Sequence, residues 1–278
     1  MEIFKTGLRR GIVAAAWLVA GAGVSAAPAF RHVPTPGVRA YRYTVVQTIN
    51  HSIQRGYRVD FDLAASADGS VDAILRTSEE LGDGHWRPTV VDPACRARMH
   101  GNAASLARVR LWPLAPGAAA QMGNDFLDTC APPGIFFPLT DILNAVVVPL
   151  SPSFNTASLR SQGQSAHYAG FTAAFDRAGE TLREVTEGGD VRLVTLDRGQ
   201  AVIDWQPLLA TLDLVEHSGP TPLTLHGTEH YAFRITLDRR TGAIRDAHTL
   251  FDDLDLNVVG APGAPHVVIS RSVTITPL

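Results

Sequence analysis

The chain has 278 residues, 45% of them hydrophobic and 18% charged, with a formal net charge of −3 at pH 7. That mildly acidic balance argues against nucleic acid as a partner, because such binding rests on neutralising phosphates with basic side chains. Lys5 is the only lysine, so the rest of the chain cannot support Schiff-base chemistry, a phosphate-loop lysine or Ser–Lys catalysis.

Residues 1–26 read as an export signal. Lys5, Arg9 and Arg10 make a positive head, Gly11 to Val24 is an uncharged apolar run, and Val24-Ser25-Ala26 supplies small residues for cleavage. The run is too short to span a bilayer as a helix. Arg9-Arg10 keeps the twin-arginine route open beside the general secretory one. No cysteine lies near the cleavage point, so a lipid anchor is not expected. Losing Glu2, Lys5, Arg9 and Arg10 with the signal would move the net charge from −3 to −5. The expected location is periplasmic or secreted, with no transmembrane segment in the mature chain.

Residues 27–38 contain Pro28, Pro34, Pro36 and Gly37 and read as a tether. Residues 39–278 read as a single β-rich domain. Tyr41 to Ile49 and Tyr57 to Leu63 alternate apolar and polar residues, the period of a half-buried strand. Asp68-Gly69 marks a hairpin that returns along Val71 to Leu75. Arg76 to Gly101 reads mostly as loop, and Leu106 to Trp112 as a strand stopped by Pro113. Cys95 and Cys130 read as a disulfide in an oxidising compartment. It would close a 36-residue loop, and in the chain-entropy model would add roughly 3–4 kcal/mol of stability.

An apolar insertion follows at 117–150. Ala118 to Met122, with Phe126 and Leu127, reads as a short helix broken at Gly123. Thr140 is the expected N-cap of a second helix, with Ile142, Leu143, Val146 and Val147 on one face, although three consecutive valines also suit a buried strand. Ser158 to Pro207 returns to strands, with Pro207 expected to end the last of them. Leu208 to Leu214 reads as a helical turn or a short crossover. Tyr231 to Leu237 alternates again. Asp238-Arg239-Arg240-Thr241-Gly242 reads as a hairpin connection, with Asp to open the turn and Gly at the positive-φ position. The final strand puts Val267, Ile269, Val273 and Ile275 on one side, and Arg271 interrupts that side.

The expected fold is therefore mainly β: a strongly curved antiparallel sheet or half-barrel, with a sandwich as the alternative, and one or two short central helices. Such a frame is similar to the half-open barrels of periplasmic lipid and lipoprotein carriers. That likeness is one of fold and establishes no function.

One short motif stands out. His226-Gly227-Thr228-Glu229-His230 spells H-x-x-E-H, a zinc-peptidase pattern. That chemistry needs both histidines on one helix face. Flanking strand residues argue for a strand, in which His226 and His230 would stand about 13 Å apart. No cofactor and no resident metal are expected. The cluster Asp252, Asp253 and Asp255 does not follow the EF-hand spacing. Three functions stay open: a binding or carrier protein for an apolar molecule such as a lipid, a cell-envelope assembly factor that binds a protein partner, and a zinc hydrolase. For the first, the expected lining is Phe136, Phe137, Ile142, Val146, Phe171, Phe175, Tyr231 and Phe233. An enzyme is not the favoured reading.

Overall fold

The computed structural model describes residues 35–67, 70–89, 96–100, 103–106, 109–111, 119–122, 158–177, 180–207, 209–216, 222–260, 263 and 265–278. The signal, most of the tether, both cysteines and most of the insertion lie outside these residues. Fifteen strands carry the described chain: β1 (Gly37–Ile49), β2 (Ile53–Ala65), β3 (Ser70–Gly82), β4 (His85–Thr89), β5 (Arg96–His100), β6 (Ala103–Leu106), β7 (Val109–Leu111), β8 (Ala119–Met122), β9 (Ser165–Arg177), β10 (Glu180–Leu196), β11 (Gln200–Pro207), β12 (Ala210–Glu216), β13 (Leu223–Asp238), β14 (Ile244–Val258) and β15 (His266–Pro277). No α-helix occurs among the described residues.

All fifteen strands belong to one sheet, in the order β7-β6-β5-β3-β2-β1-β15-β14-β13-β11-β10-β9-β8, with β4 beside β3 and β12 between β10 and β13. Every pairing is antiparallel except β8 with β9. The ends of this order curl together, since β7 and β8 approach within 8 Å between Cα atoms. A strongly curved, half-barrel sheet is therefore the observed architecture.

Curvature follows from which side chains face in. Tyr41, Tyr43 and Val45 on β1, Val59 and Phe61 on β2, Ile203 and Trp205 on β11, Ile235 and Leu237 on β13, and Ile275 on β15 are buried in one continuous cluster. Each wholly buried aliphatic or aromatic side chain here stabilises by about 1.5–3 kcal/mol. The outer face is polar. Arg42 grips Asp60 directly across β1 and β2 at 2.7 and 2.9 Å, which holds the Asp60 carboxyl below its usual range. Arg234 grips Asp204 in the same way at 2.6 and 2.8 Å. Arg58 bonds Glu79 at 3.1 Å and lies over the Trp86 ring. Apolar inside and charged outside is the reverse of a transmembrane barrel, whose lipid-facing band must be apolar.

Several expectations change here. Arg76 to Gly101 is not mostly loop, because Asp83 and Gly84 both take positive φ (52° and 75°) and close a two-residue hairpin from β3 to β4. Ala118 to Met122 is not helical where described. Ala119–Met122 is the strand β8, and its pairing with β9 overrides the helix propensity of Ala, Gln and Met. The rest of that helix and the one expected from Thr140 lie outside the described residues, and Leu208 to Leu214 is no helical turn where described, because Ala210–Glu216 is the strand β12, paired with β10 and β13. Pro207 is the last residue of β11, as expected, and the sheet goes on in β12. β12 keeps the register of β11 against β10, since Gly189 pairs with Pro207 and Thr186 with Ala210. The Glu187 N–H donates to the Leu209 carbonyl at 3.0 Å, so the ladder resumes past the residue that lacks an N–H. Against β13 the register slips by one between Trp205↔Phe233 and Ala210↔Glu229, the offset of a bulge.

That bulge lies on a crease. On the β11 side of it Ala201, Ile203 and Trp205 face in, and on the β12 side Ala210 and Leu212 do. On β10 the inward set changes from Val191 and Leu193 to Thr186. Gly188 makes the switch, with φ of 105°, a conformation open to glycine alone at little cost. A Cβ on Gly188 would stand 2.6 Å from the Tyr168 carbonyl, and one on Gly189 would stand 2.5 Å from the Tyr168 hydroxyl. The sheet bends there because bare backbone lets neighbouring strands close in.

Candidate ligand-binding face

The inner face can be followed row by row, since directly paired residues on antiparallel strands project to the same side. The first rows make the sealed core: Ile203 beside Ile235, then Trp205 beside Phe233. The next row is polar, with Tyr231 opposite Asp252, and Arg271 opposite Gln47. Beyond it the face turns aliphatic again. Ala210 pairs with Glu229, Glu229 with Leu254 and Leu254 with Ile269. Then come Leu212, Gly227, Leu256 and Val267, and after them Leu214 and Leu225. Leu214, Leu225, Val267 and Ile269 pack against the core yet stay only partly buried.

The polar row exists because β14 carries a bulge. Before it Ala247 faces in. After it the inward set is Asp252, Leu254 and Leu256. The extra residue is Leu250, left out where the register against β13 passes from Phe233↔Thr249 to Ala232↔Phe251. Leu250 and Phe251 are left exposed on the sheet (42% each), while Asp252 is buried (4%). There it meets Arg271 at 3.1 Å, and Arg271 also reaches Glu229 at 3.4 Å. Glu184 faces the same side from β10, opposite Leu212. Desolvation, then the charges of Glu184 and Glu229, push the Tyr231 hydroxyl well above its ordinary range. Burial also raises Tyr168, against a smaller lowering by the Trp205 indole N–H. The Trp205 and Tyr231 rings meet edge to face with centroids 5.3 Å apart.

The residues expected to line a cavity fare unequally. Tyr231 stands in the polar row, and Phe233 is buried core one row behind it. Phe171 and Phe175 lie on β9, opposite Thr186 and Leu182 of β10. Phe136, Phe137, Ile142 and Val146 lie outside the described residues, as do Cys95 and Cys130. The zinc motif does not converge. His226 and His230 face outward on β13 while Glu229 faces inward, because successive strand residues point to opposite sides. His226 Nδ1 instead pairs with Asp213 at 2.6 Å. The aspartate cluster is split in the same way. Asp252 turns in, whereas Asp253 turns out to accept a hydrogen bond from Ser270 at 2.6 Å, and Asp255 turns out to His266. Asp246 and His248 do share a face and pair at 2.6 Å.

Asp252, Arg271 and Glu184 were not among the expected site residues. Arg271 had a signal, since it breaks an otherwise apolar alternation. Asp252 had none, because its burial depends on the bulge at Leu250.

No protein-family model and no curated protein matches the chain. Among solved structures, one described as lipid–protein interactions in lipovitellin is similar at a TM-score of 0.42 and 8% identity, over 88% of this chain. This chain spans 25% of the length of that one. A likeness at that level carries no argument about fold or activity.

Proposed function

We propose that the protein is an exported binding or carrier protein, periplasmic or secreted, that holds an apolar molecule such as a lipid against the inner face of its sheet. The observation that supports this reading is the aliphatic field beyond the polar row. Leu214, Leu225, Val267 and Ile269 face inward and remain partly exposed, although exposed aliphatic area costs about 25 cal/mol per Å² relative to burial. A ligand chain laid along these rows would remove that area from water. The polar outer face, with its Arg–Asp ladders, suits a molecule that travels through water. The export signal read in the first 26 residues supports the location.

Native mass spectrometry of the mature protein, purified from an exporting host, tests the reading. A bound mass that disappears on denaturation and fragments as lipid is the expected result. A bare protein that also takes up no added long-chain amphiphile would overturn it.

A further inference from the structure

The inner face carries charge as well as hydrocarbon, and the sign of that charge restricts what can lie there. Asp252, Glu229 and Glu184 face inward on three different strands around the row that closes off the core. Arg271 is a guanidinium of that row, and it is already held by Asp252 at 3.1 Å and Glu229 at 3.4 Å, with 7% of its side chain exposed. Arg55 stands in the same row two strands from Arg271, beyond Gln47, and on that face Glu80 of β3 lies opposite Arg87 of β4. Beside the aliphatic field, on β10, β13 and β14, the charged groups around the polar row are therefore carboxylates, which accept hydrogen bonds and donate none when ionised. An arriving carboxylate or phosphate would have to displace Asp252 or Glu229 from Arg271. The displaced group would stay buried without its counter-charge, which is strongly unfavourable. A hydroxyl, amide or ammonium head meets complementary acceptors instead. Burial is the largest cause of the raised Tyr231 hydroxyl, and the charges of Glu184, Glu229 and Asp252 add to it.

We propose that the occupant is a long-chain amphiphile with an uncharged or cationic head, and that Glu229 and Asp252 reject an anionic one. This inference rests on the carrier reading above. Its chain would cover Leu214, Leu225, Val267 and Ile269, and its head would meet the row of Asp252 and Arg271.

The test is competition among three probes with the same chain, added to the mature protein below their aggregation limits and read by native mass spectrometry: hexadecanoate, monohexadecanoylglycerol and hexadecylammonium. The glycerol ester and the ammonium should outcompete hexadecanoate by about tenfold or more. Glu229→Gln should narrow that margin. Asp253→Asn removes the same unit of charge from the neighbouring outer face and should leave the ranking as it was. Hexadecanoate binding as well as the others would overturn the proposal and leave the carrier reading standing. An equal shift in Asp253→Asn would also overturn it, by tracing the preference to overall charge. Uptake of none of the three would overturn the carrier reading and the proposal together. If thermal melting shows that Glu229→Gln does not fold, the ranking in the unmodified protein decides.

Discussion

Arg271 of β15 holds Asp252 of β14 at 3.1 Å, with only 7% and 3% of the two side chains exposed. A pair this deep is costly to break from one side. Arg271→Ala should destabilise the protein by about 3–5 kcal/mol, because two carboxylates would stay buried without their cation. Replacing Arg271, Asp252 and Glu229 together by Met, Leu and Leu should cost far less, and urea unfolding of both variants measures the contrast. Equal losses would mean that the cluster acts through packing rather than charge.

The glycine crease makes a second prediction. Gly188→Ala combines a positive φ of 105° with a new methyl 2.6 Å from the Tyr168 carbonyl. It should destabilise by roughly 2–4 kcal/mol, from strain together with overpacking. Gly84→Ala also takes a positive φ but meets nothing within 4 Å. It should cost only about 1 kcal/mol. Thermal melts of the two variants compare backbone strain alone with strain plus collision.

Asp238 supplies a pH dependence. Its carboxylate accepts from the Arg240 and Thr241 amides at 3.0 and 2.8 Å and from Arg245 at 2.6 Å. Arg245 first, then Thr241, hold it far below the usual carboxylate range. A depressed folded-state pKa adds stability above the unfolded value of about 4 and loses it as pH falls from there. Asp238→Ala should therefore cost about 1–2 kcal/mol at neutral pH. The gap to the unmodified protein should shrink as pH is lowered below about 4, as read by urea midpoints.

Tyrosine titration works in the opposite direction. Tyr41, Tyr168 and Tyr231, three of the five tyrosines, have raised pKa values, with burial the largest cause in each. Each contributes fully below the unfolded value of about 10, and the contribution is lost as pH rises beyond it. Ultraviolet titration near pH 11 should show fewer tyrosinates than tyrosines, and the remainder should ionise only as the protein unfolds. Five ionising together in the folded protein would contradict the burial of these hydroxyls.

Much of this architecture was legible because strands announce themselves by alternation. Tyr231 to Leu237 alternates in the sequence and on the sheet, and Asp238 and Gly242 close the hairpin as their residue types require, with Gly242 at φ 68°. Alternation fails wherever one residue is added to a strand. Counting by twos from Ala247 would turn Asp253, Asp255 and Asn257 inward, and the bulge at Leu250 puts their neighbours there instead. Leu208 to Leu214 misled in another way, since Ala210–Glu216 is a strand by virtue of its pairing with β10 and β13, which no local pattern shows. The candidate site stayed hidden for the same reason. It is assembled from β10, β13, β14 and β15, and no local pattern connects Asp252 to Arg271.

The pairing of β1 with β15 sets a kinetic condition on this sheet. Tyr41 lies opposite Pro277 and Val45 opposite Val273, so the first strand of the sheet waits for the last. Most other neighbours are joined by hairpins and can form as soon as both arms exist, whereas this seam must close a loop of almost the whole domain, which slows folding. Until then β1 offers an open edge with Tyr41, Tyr43 and Val45 uncovered, a template for pairing between chains. Refolding yield should therefore fall steeply with protein concentration, and truncating β15 should produce aggregates rather than a smaller soluble sheet.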